Sequence, residues 1–284
     1  MTEPSHTTPG QPASLGRLSP VTPPEAPEKS SAHVQSLVRG LAVIRVFDAD
    51  NAHLTLSEVA RRADLTRATA RRVLHTLLDL GYVASDGKNF SLRPKILELG
   101  YAYLSSMSLP AVAQPRLEEL TKAAHESSSV AVLDGSDIAY VARVAKQRIM
   151  TVAISVGTRF PAYATSMGRV ILAHLTPAEL DQYLESTELR QVTPHTITDR
   201  EGLLAELGRI REQGWALVDQ ELEEGLRSIA APIHDQSGHV VAALNLSASS
   251  RRGEVNEVVE HLLPHLLATA KAIDADLRFV DTRI

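Results

Sequence analysis

The 284-residue sequence contains no cysteine, so it can form no disulfide, bind no zinc through thiolates and use no thiol nucleophile. It also lacks any apolar run of the roughly 18 residues that a membrane-spanning helix needs. The N-terminus has no basic start followed by an apolar stretch, which a secretion signal would show. These absences predict a cytoplasmic protein with no membrane partner.

The motifs of several common enzyme classes are missing as well. The sequence has no Gly-x-Ser-x-Gly elbow, no glycine-rich phosphate loop and no dinucleotide fingerprint. His261 and His265 have a spacing that can bind a metal, but no glutamate follows His261 and Pro264 lies between them. We interpret the pair as a solvated helix face, and His234 and Asp235 as exposed loop residues beside a turn. The sequence therefore predicts no enzyme activity, no metal and no cofactor; the alternative is a catalytic C-terminal domain that turns over a small acid.

Residues 54–80 predict a helix-turn-helix. The first helix covers about Ser57–Ala63, and the second covers Thr66–Leu80, with Thr66 as its cap and Gly81 as its stop. After Gly81 the sequence YVASDGKNFSL alternates around an Asp-Gly turn, which predicts the hairpin wing of a winged helix. The apolar residues of the second helix recur at helical spacing and must face a core: Ala70, Val73, Leu74 and Leu77.

The opposite side of the second helix is basic, and arginine pairs bidentately with guanine in the major groove of DNA. Residues 34–95 carry ten Lys/Arg and six Asp/Glu, a net charge of +4, so the rest of a chain of net charge −5 carries −9. The alternative is a helical hairpin with an ordinary solvated face. The predicted contacts to double-stranded DNA are Ser57, Arg67, Ala68, Thr69, Arg71, Arg72 and Lys88. Of these, Ser57 and Lys88 are expected to contact backbone phosphates.

The remaining segments complete a two-domain organisation. Residues 1–33 hold seven of the fifteen prolines and few large apolar residues, which predicts a disordered tail. We expect a winged domain at 34–93, a linker helix at 94–108 and an effector-binding domain at 109–284. The first helix of the winged domain should pack beneath the helix-turn-helix through residues spaced three or four apart: Leu37, Leu41, Ile44 and Phe47.

The linker helix is apolar on more than one side. This composition favours burial against the same helix of a second subunit, and packing against its own effector domain is the alternative. Beyond the linker helix, two hairpins are predicted, with turns at 134–137 and 236–238. Further strands are predicted at Arg148–Ser155 and Trp215–Asp219. Helices are predicted between and after these strands. Strands in hairpins with surrounding helices indicate a curved antiparallel sheet in an α+β domain.

The winged helix, the hydrophobic linker and the later segments resemble the IclR family of bacterial transcriptional regulators. The matching segments are GTRFPAYATSMGRVILA at 157–173, TITDREGLLAELGRIREQGWALVDQELEEGLRSIAAPI at 196–233 and VVAALNLSA at 240–248. DIAYVARV followed by RIMTVAISVGTRFPAYATSMGR is similar to the branch that regulates aromatic-acid breakdown through the β-ketoadipate pathway. The resemblance implies a GAF-like effector domain, a homodimer joined through the DNA-binding domains, and dimers of dimers on palindromic operators.

The resemblance also implies a pocket for a small carboxylic acid against the sheet. Thr165 and Ser166 begin a helix, where hydroxyls and free N–H groups can hold an anion, although plain capping is an equal alternative. Asn245 and Ser247 alternate along a strand and therefore share a face; the alternative is a hydrogen-bonded buried pair. The implied pocket residues are Tyr163, Ala164, Thr165, Ser166, Met167, Arg227, Ser228, Asn245 and Ser247.

The sequence does not decide which residue supplies the cation that binds the acid. Arg143 or Arg148 can supply it, and Arg227 can instead be structural, paired with one of Glu221, Glu223 and Glu224.

These observations predict a regulator that senses a small aromatic or dicarboxylic acid and controls aromatic catabolism genes. One alternative is an IclR-type regulator of another small-acid pathway, with a glyoxylate- or pyruvate-like effector. Ser228 stands where some relatives have cysteine, which weighs against that effector class. A ligand-free architectural DNA binder is the other alternative, but dimerisation alone does not need so large an acidic domain.

Overall fold

The computed structural model describes residues 34–48, 50–104, 109–146 and 154–278, with the backbone alone for 101–104. The chain divides into two compact units between Ile96 and Leu97, within the segment predicted as a linker. The predicted tail and Arg148 lie outside the described residues. Of the helices in these ranges, none combines the length and the apolar character that crossing a bilayer requires.

The N-terminal unit packs three helices against a small antiparallel sheet of order β1-β3-β2. The two helices of the predicted helix-turn-helix and the wing are confirmed to within about a residue at each end. Strand β1 was not predicted; it pairs with β3 and places Leu54 opposite Phe90. The elements are α1 Gln35–Arg45, β1 Leu54–Thr55, α2 Leu56–Arg62, α3 Arg67–Asp79, β2 Val83–Ser85 and β3 Asn89–Leu92.

Local capping explains why this part of the chain was predictable. The Thr55 hydroxyl accepts a hydrogen bond from the Glu58 amide, and the Glu58 carboxylate accepts one from the Thr55 amide, which closes a capping box at α2. The Thr55 hydroxyl also donates to the Glu58 carboxylate at 2.7 Å, and this bond, together with the one from the Thr55 amide, lowers the pKa of Glu58. Thr66 caps α3 by accepting from the Thr69 amide at 3.2 Å, and Gly81, at φ +79°, takes the left-handed conformation just past its end.

The apolar face of α1 differs from the prediction. Ile44 and Phe47 are half-buried against the core of this unit, but Leu37 and Leu41 are exposed, and the buried residue is Val43. Only the C-terminal half of the helix therefore lies over the core. Helical periodicity identifies an apolar stripe, but how much of it is covered depends on the length of the neighbouring elements.

The predicted linker is a short 3-10 turn at Pro94–Ile96 followed by helix α4, Leu97–Leu104. The side chains of Leu97 and Leu99 are exposed. Its apolar residues are therefore not all covered by the elements around them.

The C-terminal unit is a curved six-stranded antiparallel sheet of order β6-β5-β4-β9-β8-β7 between two layers of helices. Helices α5 and α9 cover one face, and α6, α7 and α8 cover the other. The elements are α5 Leu109–Ala124, β4 Ser127–Asp134, β5 Asp137–Val144, β6 Arg159–Pro161, α6 Ser166–Ala173, α7 Pro177–Ser186, α8 Arg200–Gln213, β7 Ala216–Asp219, β8 Leu226–His234, β9 Val240–Ser249 and α9 Val255–Leu277.

The outcome for one predicted strand of this sheet rests on only two described residues. The segment Arg148–Ser155 lies mostly outside the described residues, and its last two residues are not in a strand. The edge strand is β6, which pairs with β5 through Phe160 opposite Ile138. The two predicted hairpins, β4–β5 and β8–β9, are confirmed by the antiparallel pairing of their strands.

Candidate nucleic-acid interface and ligand pocket

Helix α3 presents a basic face to solvent. Arg67, Arg71 and Arg72 are exposed, on the side opposite the buried residues Ala70 and Leu74. Within the described residues none of the three arginines forms an ion pair or a side-chain hydrogen bond. These guanidinium groups are therefore available to phosphates and base edges.

The other predicted DNA contacts fall around this face. Ala68 is exposed beside the arginines, and Ser57 is exposed in the first turn of α2. Thr69 is half-buried, and its hydroxyl accepts from that of Thr66 at 2.9 Å, so it belongs partly to the cap of α3.

Lys88 is exposed at the tip of the wing. The Asp86 carboxylate accepts from the Lys88 and Asn89 amides at 2.9 and 2.6 Å, and these bonds lower the pKa of Asp86 to about 2. Gly87 adopts φ +92° in the same turn. The turn that carries Lys88 is therefore held by backbone contacts and not by Lys88 itself.

In the C-terminal unit a cavity lies between the start of α6 and the concave face of the sheet. The space between the atoms that surround it is about 360 Å³, with its open mouth included. Its lining is apolar with a few convergent hydroxyl and amide groups: Tyr140, Ile154, Ala164, Thr165, Ser166, Met167, Val218, Leu222, Leu226, Ser228, Asn245 and Ser247.

Seven of the nine implied pocket residues line this cavity. The Ser166 and Ser228 hydroxyls form a direct hydrogen bond of 2.9 Å with each other in its wall, and the Asn245 side-chain amide donates to the Ser247 hydroxyl at 3.1 Å. The Thr165 hydroxyl accepts from the Gly168 amide at 3.0 Å and so also caps α6. The polar groups of the lining therefore come from α6, β8 and β9 together.

Tyr163 and Arg227 do not line the cavity, which corrects the sequence prediction. The Tyr163 hydroxyl donates to the Arg190 carbonyl at 2.8 Å. Arg227 donates to both carboxylate oxygens of Asp219 at 3.0 Å and is structural, although with a different partner from the glutamates named above. Ser228 faces the cavity, and its strand neighbour must point the other way, so alternation alone excludes Arg227.

A buried ion pair behind the cavity was missed by the sequence prediction. Arg169 is 1% exposed and donates to Glu221 at 2.7 Å and to the Tyr163 carbonyl at 2.7 Å. Thr196 donates to the Glu221 carbonyl at 2.7 Å. The pair therefore ties α6 to the loop after β7, the loop that supplies Leu222 to the cavity. In the sequence, this pair was indicated by the position of Arg169, an arginine inside an otherwise apolar helix.

Gly168 explains the close packing at the start of α6. A Cβ atom at this position would lie 2.2 Å from the Ala162 carbonyl oxygen. Only glycine allows the helix to approach the turn at 162–164 so closely.

Of the histidines singled out in the sequence, His261 and His265 are exposed on α9, as predicted, whereas His234 has a structural partner. His234 is half-buried, and its ring Nδ1 lies 2.9 Å from the Asp274 carboxylate on α9, so the prediction of an exposed loop residue was wrong. Asp235, also half-buried, accepts from the His239 amide and shapes the adjacent turn. No group of three or more acidic or histidine side chains in the described ranges is arranged to share a metal ion.

Comparison with known proteins identifies the class. Residues 36–87 match the IclR helix-turn-helix domain, and residues 101–275 match the C-terminal domain of bacterial IclR transcriptional regulators. The chain belongs to the IclR family of bacterial transcriptional regulators.

Individual relatives point to one part of this family. The chain is 44% identical to the Pca regulon regulatory protein of Pseudomonas putida, over 95% of this chain and 94% of that protein. It is 34% identical to the p-hydroxybenzoate hydroxylase transcriptional activator of Acinetobacter baylyi, over 86% and 92%. The crystal structure of an IclR homologue complexed with 4-hydroxybenzoate from Microbacterium hydrocarbonoxydans is 28% identical, with a TM-score of 0.74 over 85% of this chain and 98% of that one.

Proposed function

We propose that this regulator senses a small aromatic or dicarboxylic acid and controls genes of aromatic catabolism that lead into the β-ketoadipate pathway. The observation that carries the proposal is the cavity at the start of α6, where hydroxyl and amide groups converge in an apolar lining. The relatives that regulate the Pca regulon and p-hydroxybenzoate hydroxylase support the pathway. The homologue complexed with 4-hydroxybenzoate supports the ligand class.

In this proposal α3 enters the major groove of a palindromic operator. Arg67, Arg71 and Arg72 meet bases and phosphates there, while Ser57 and Lys88 bind the backbone. The positive charge of residues 34–95 attracts DNA at long range. As a DNA-binding protein it works in the cytoplasm.

The proposal includes a homodimer and, on the operator, a dimer of dimers. Exposed apolar side chains support it, because Leu37 and Leu41 on α1 and Leu97 and Leu99 on α4 are uncovered in one chain and exposed apolar patches commonly mark interfaces. The effector acts by binding one DNA-competent arrangement more tightly than another, which shifts their populations.

A thermal-shift screen of the purified protein tests the sensor. A ligand that binds only the folded state must raise the melting temperature, so we expect a shift with protocatechuate, 4-hydroxybenzoate or β-ketoadipate. Shifts with pyruvate or glyoxylate alone would indicate that the protein regulates another small-acid pathway. No shift with any acid, together with intact operator binding, would favour the ligand-free architectural role. The bound acid should be recovered unchanged by chromatography, whereas an enzyme would convert it.

A further inference from the structure

Helix α3 carries a histidine on its solvent face, beside the arginines. His75 follows Arg71 by four residues and Arg72 by three, and residues at these spacings lie on one face of a helix. The core residues Ala70 and Leu74 lie on the other side. His75 therefore shares a face with arginines that are proposed to contact DNA.

The ring of His75 is exposed, and within the described residues it forms no ion pair and no hydrogen bond. Helices α1 and α2 and strand β2 pack against the buried side of α3. None of the charged side chains on these elements pairs with His75; they are Arg39, Arg45, Glu58, Arg61 and Arg62. Both ring nitrogens are therefore available to a partner outside the chain, and both donate when the ring is protonated.

The charge of this face changes along the helix. Arg67, Arg71 and Arg72 occupy the first two turns, His75 occupies the third, and Asp79 ends the helix. A helix rises about 1.5 Å per residue, so His75 lies roughly 12 Å along the axis from Arg67. The protonation state of His75 therefore decides whether the positive part of the face covers two turns or three.

Asp79 increases the importance of this charge. It is exposed four residues after His75, and within the described residues its carboxylate forms no ion pair and no hydrogen bond. A carboxylate in the last turn is disfavoured by the helix dipole, and it repels the phosphates of a DNA backbone. A protonated His75 offsets this charge, whereas a neutral His75 leaves it uncompensated.

We propose that His75 is a further DNA contact, which binds a backbone phosphate in its protonated state and makes DNA binding tighter at mildly acidic pH. Histidine side chains ordinarily change charge between about pH 5 and pH 8. A phosphate favours the protonated ring, so the contact is complete at the acidic end of this range and is lost as the pH rises. This inference rests on the proposed placement of α3 in the major groove and adds a pH-dependent contact to it.

Fluorescence anisotropy of the full-length protein with a labelled duplex of mixed sequence, about 30 base pairs or three turns long, tests the contact. Phosphate contacts carry no sequence information, so any duplex reports them. Between about pH 8 and about pH 6 at low salt, the wild type should bind roughly three- to tenfold more tightly, the order of effect of one added phosphate contact. The slope of log affinity against log salt should also steepen by about 0.9 for each α3 that contacts the duplex.

Two variants of His75 separate its charge from its size. His75→Gln cannot become charged, so both the tightening and the change of slope should disappear. His75→Arg is charged throughout this range and should bind tightly, with the steeper slope, at both pH values. The matched control is His53→Gln, which removes an exposed histidine of the same unit that is not on α3, and it should behave as the wild type does.

The melting temperature of each variant, measured at both pH values, checks that it is folded. It also distinguishes a merely structural role, because a histidine that only stabilised α3 would change the melting temperature and leave the salt slope as it is.

The outcomes separate this inference from the proposed function. Equal wild-type salt slopes at the two pH values, or a folded His75→Gln protein with the wild-type pH effect, would overturn the inference while the proposed reading face of α3 stands. His75→Arg binding no more tightly than His75→Gln near pH 8 would show that the third turn does not reach a phosphate, and would also overturn it. Unchanged affinity of Arg72→Ala for the same duplex would overturn the proposed reading face and this inference together.

Discussion

Arginine is used differently in the two units. On α3 of the N-terminal unit Arg71 and Arg72 are exposed and meet no acidic side chain within the described residues, whereas in the C-terminal unit Arg169 is buried against Glu221. Taking a charge out of water is costly unless a partner compensates it. A paired, buried arginine therefore holds the scaffold, and an exposed, unpaired one remains available to DNA. The net charge of a unit does not show which of these two roles its arginines have.

The largest effect is expected where the buried pair is broken. Arg169→Met leaves the Glu221 carboxylate buried without its cation, which typically costs about 3–5 kcal/mol of unfolding free energy. Chemical denaturation measures the change. Arg200→Met is the control, because it removes an exposed ion pair with Asp181 and should cost no more than about 1 kcal/mol. Similar small losses in both variants would show that burial does not separate the two kinds of arginine.

Glycine provides a second contrast inside the C-terminal unit. Gly168→Ala forces a methyl group against the Ala162 carbonyl, and overpacking of this kind costs about 1–3 kcal/mol. Gly208→Ala on α8 is the control, since its Cβ would meet nothing within 4 Å and alanine favours the helix by about 0.5–1 kcal/mol. Denaturation curves should therefore shift in opposite directions. A stabilised Gly168→Ala protein would contradict the close packing at α6.

The unpaired arginines should affect DNA binding rather than stability. Arg72→Ala should weaken operator binding at fixed salt by roughly tenfold to a hundredfold, the value of a good base contact of about 1–3 kcal/mol, with an unchanged melting temperature. Fluorescence anisotropy with an operator duplex measures it, and Lys122→Ala, an exposed cation on α5, is the control. Unchanged affinity of the Arg72 variant would remove this face of α3 from the interface.

The smallest effect concerns pH and the wing. The pKa of Asp86 is lowered to about 2, so its hydrogen bonds stabilise the turn above the ordinary value of 3.8 and are lost as the pH falls through about 2. The Lys88 and Asn89 amide signals in NMR spectra should stay in their native positions down to about pH 3 and shift below it, in conditions where the unit is still folded. Asp86→Ala should abolish this step. A transition centred near pH 4 would contradict the hydrogen-bonded turn.

The predictability of each region follows from how local its causes are. The helix-turn-helix was predicted because Thr55, Glu58 and Thr66 cap helices within three residues of themselves. The extent of the covered face of α1 was mispredicted because neighbouring elements decide whether Leu37 is buried.

In the pocket, strand alternation correctly grouped Asn245 with Ser247 on one face. The partner of Arg227, however, lies across a hairpin, and the juxtaposition of Arg143 with Ser129 requires the register of β4 and β5. Contacts of this kind are set by how distant segments meet and leave no short-range pattern in the sequence.

At the start of α6 the residues that support the helix differ from the residues that line the cavity, and this separation has a consequence for protein engineering. Arg169 and Gly168 position the helix from behind, while Ser166 and Ser228 line the cavity. Substitutions in the lining can change the shape and polarity of the cavity without disturbing the frame that supports it. Engineered variants can therefore be diversified at the lining positions while the Arg169–Glu221 pair is left intact.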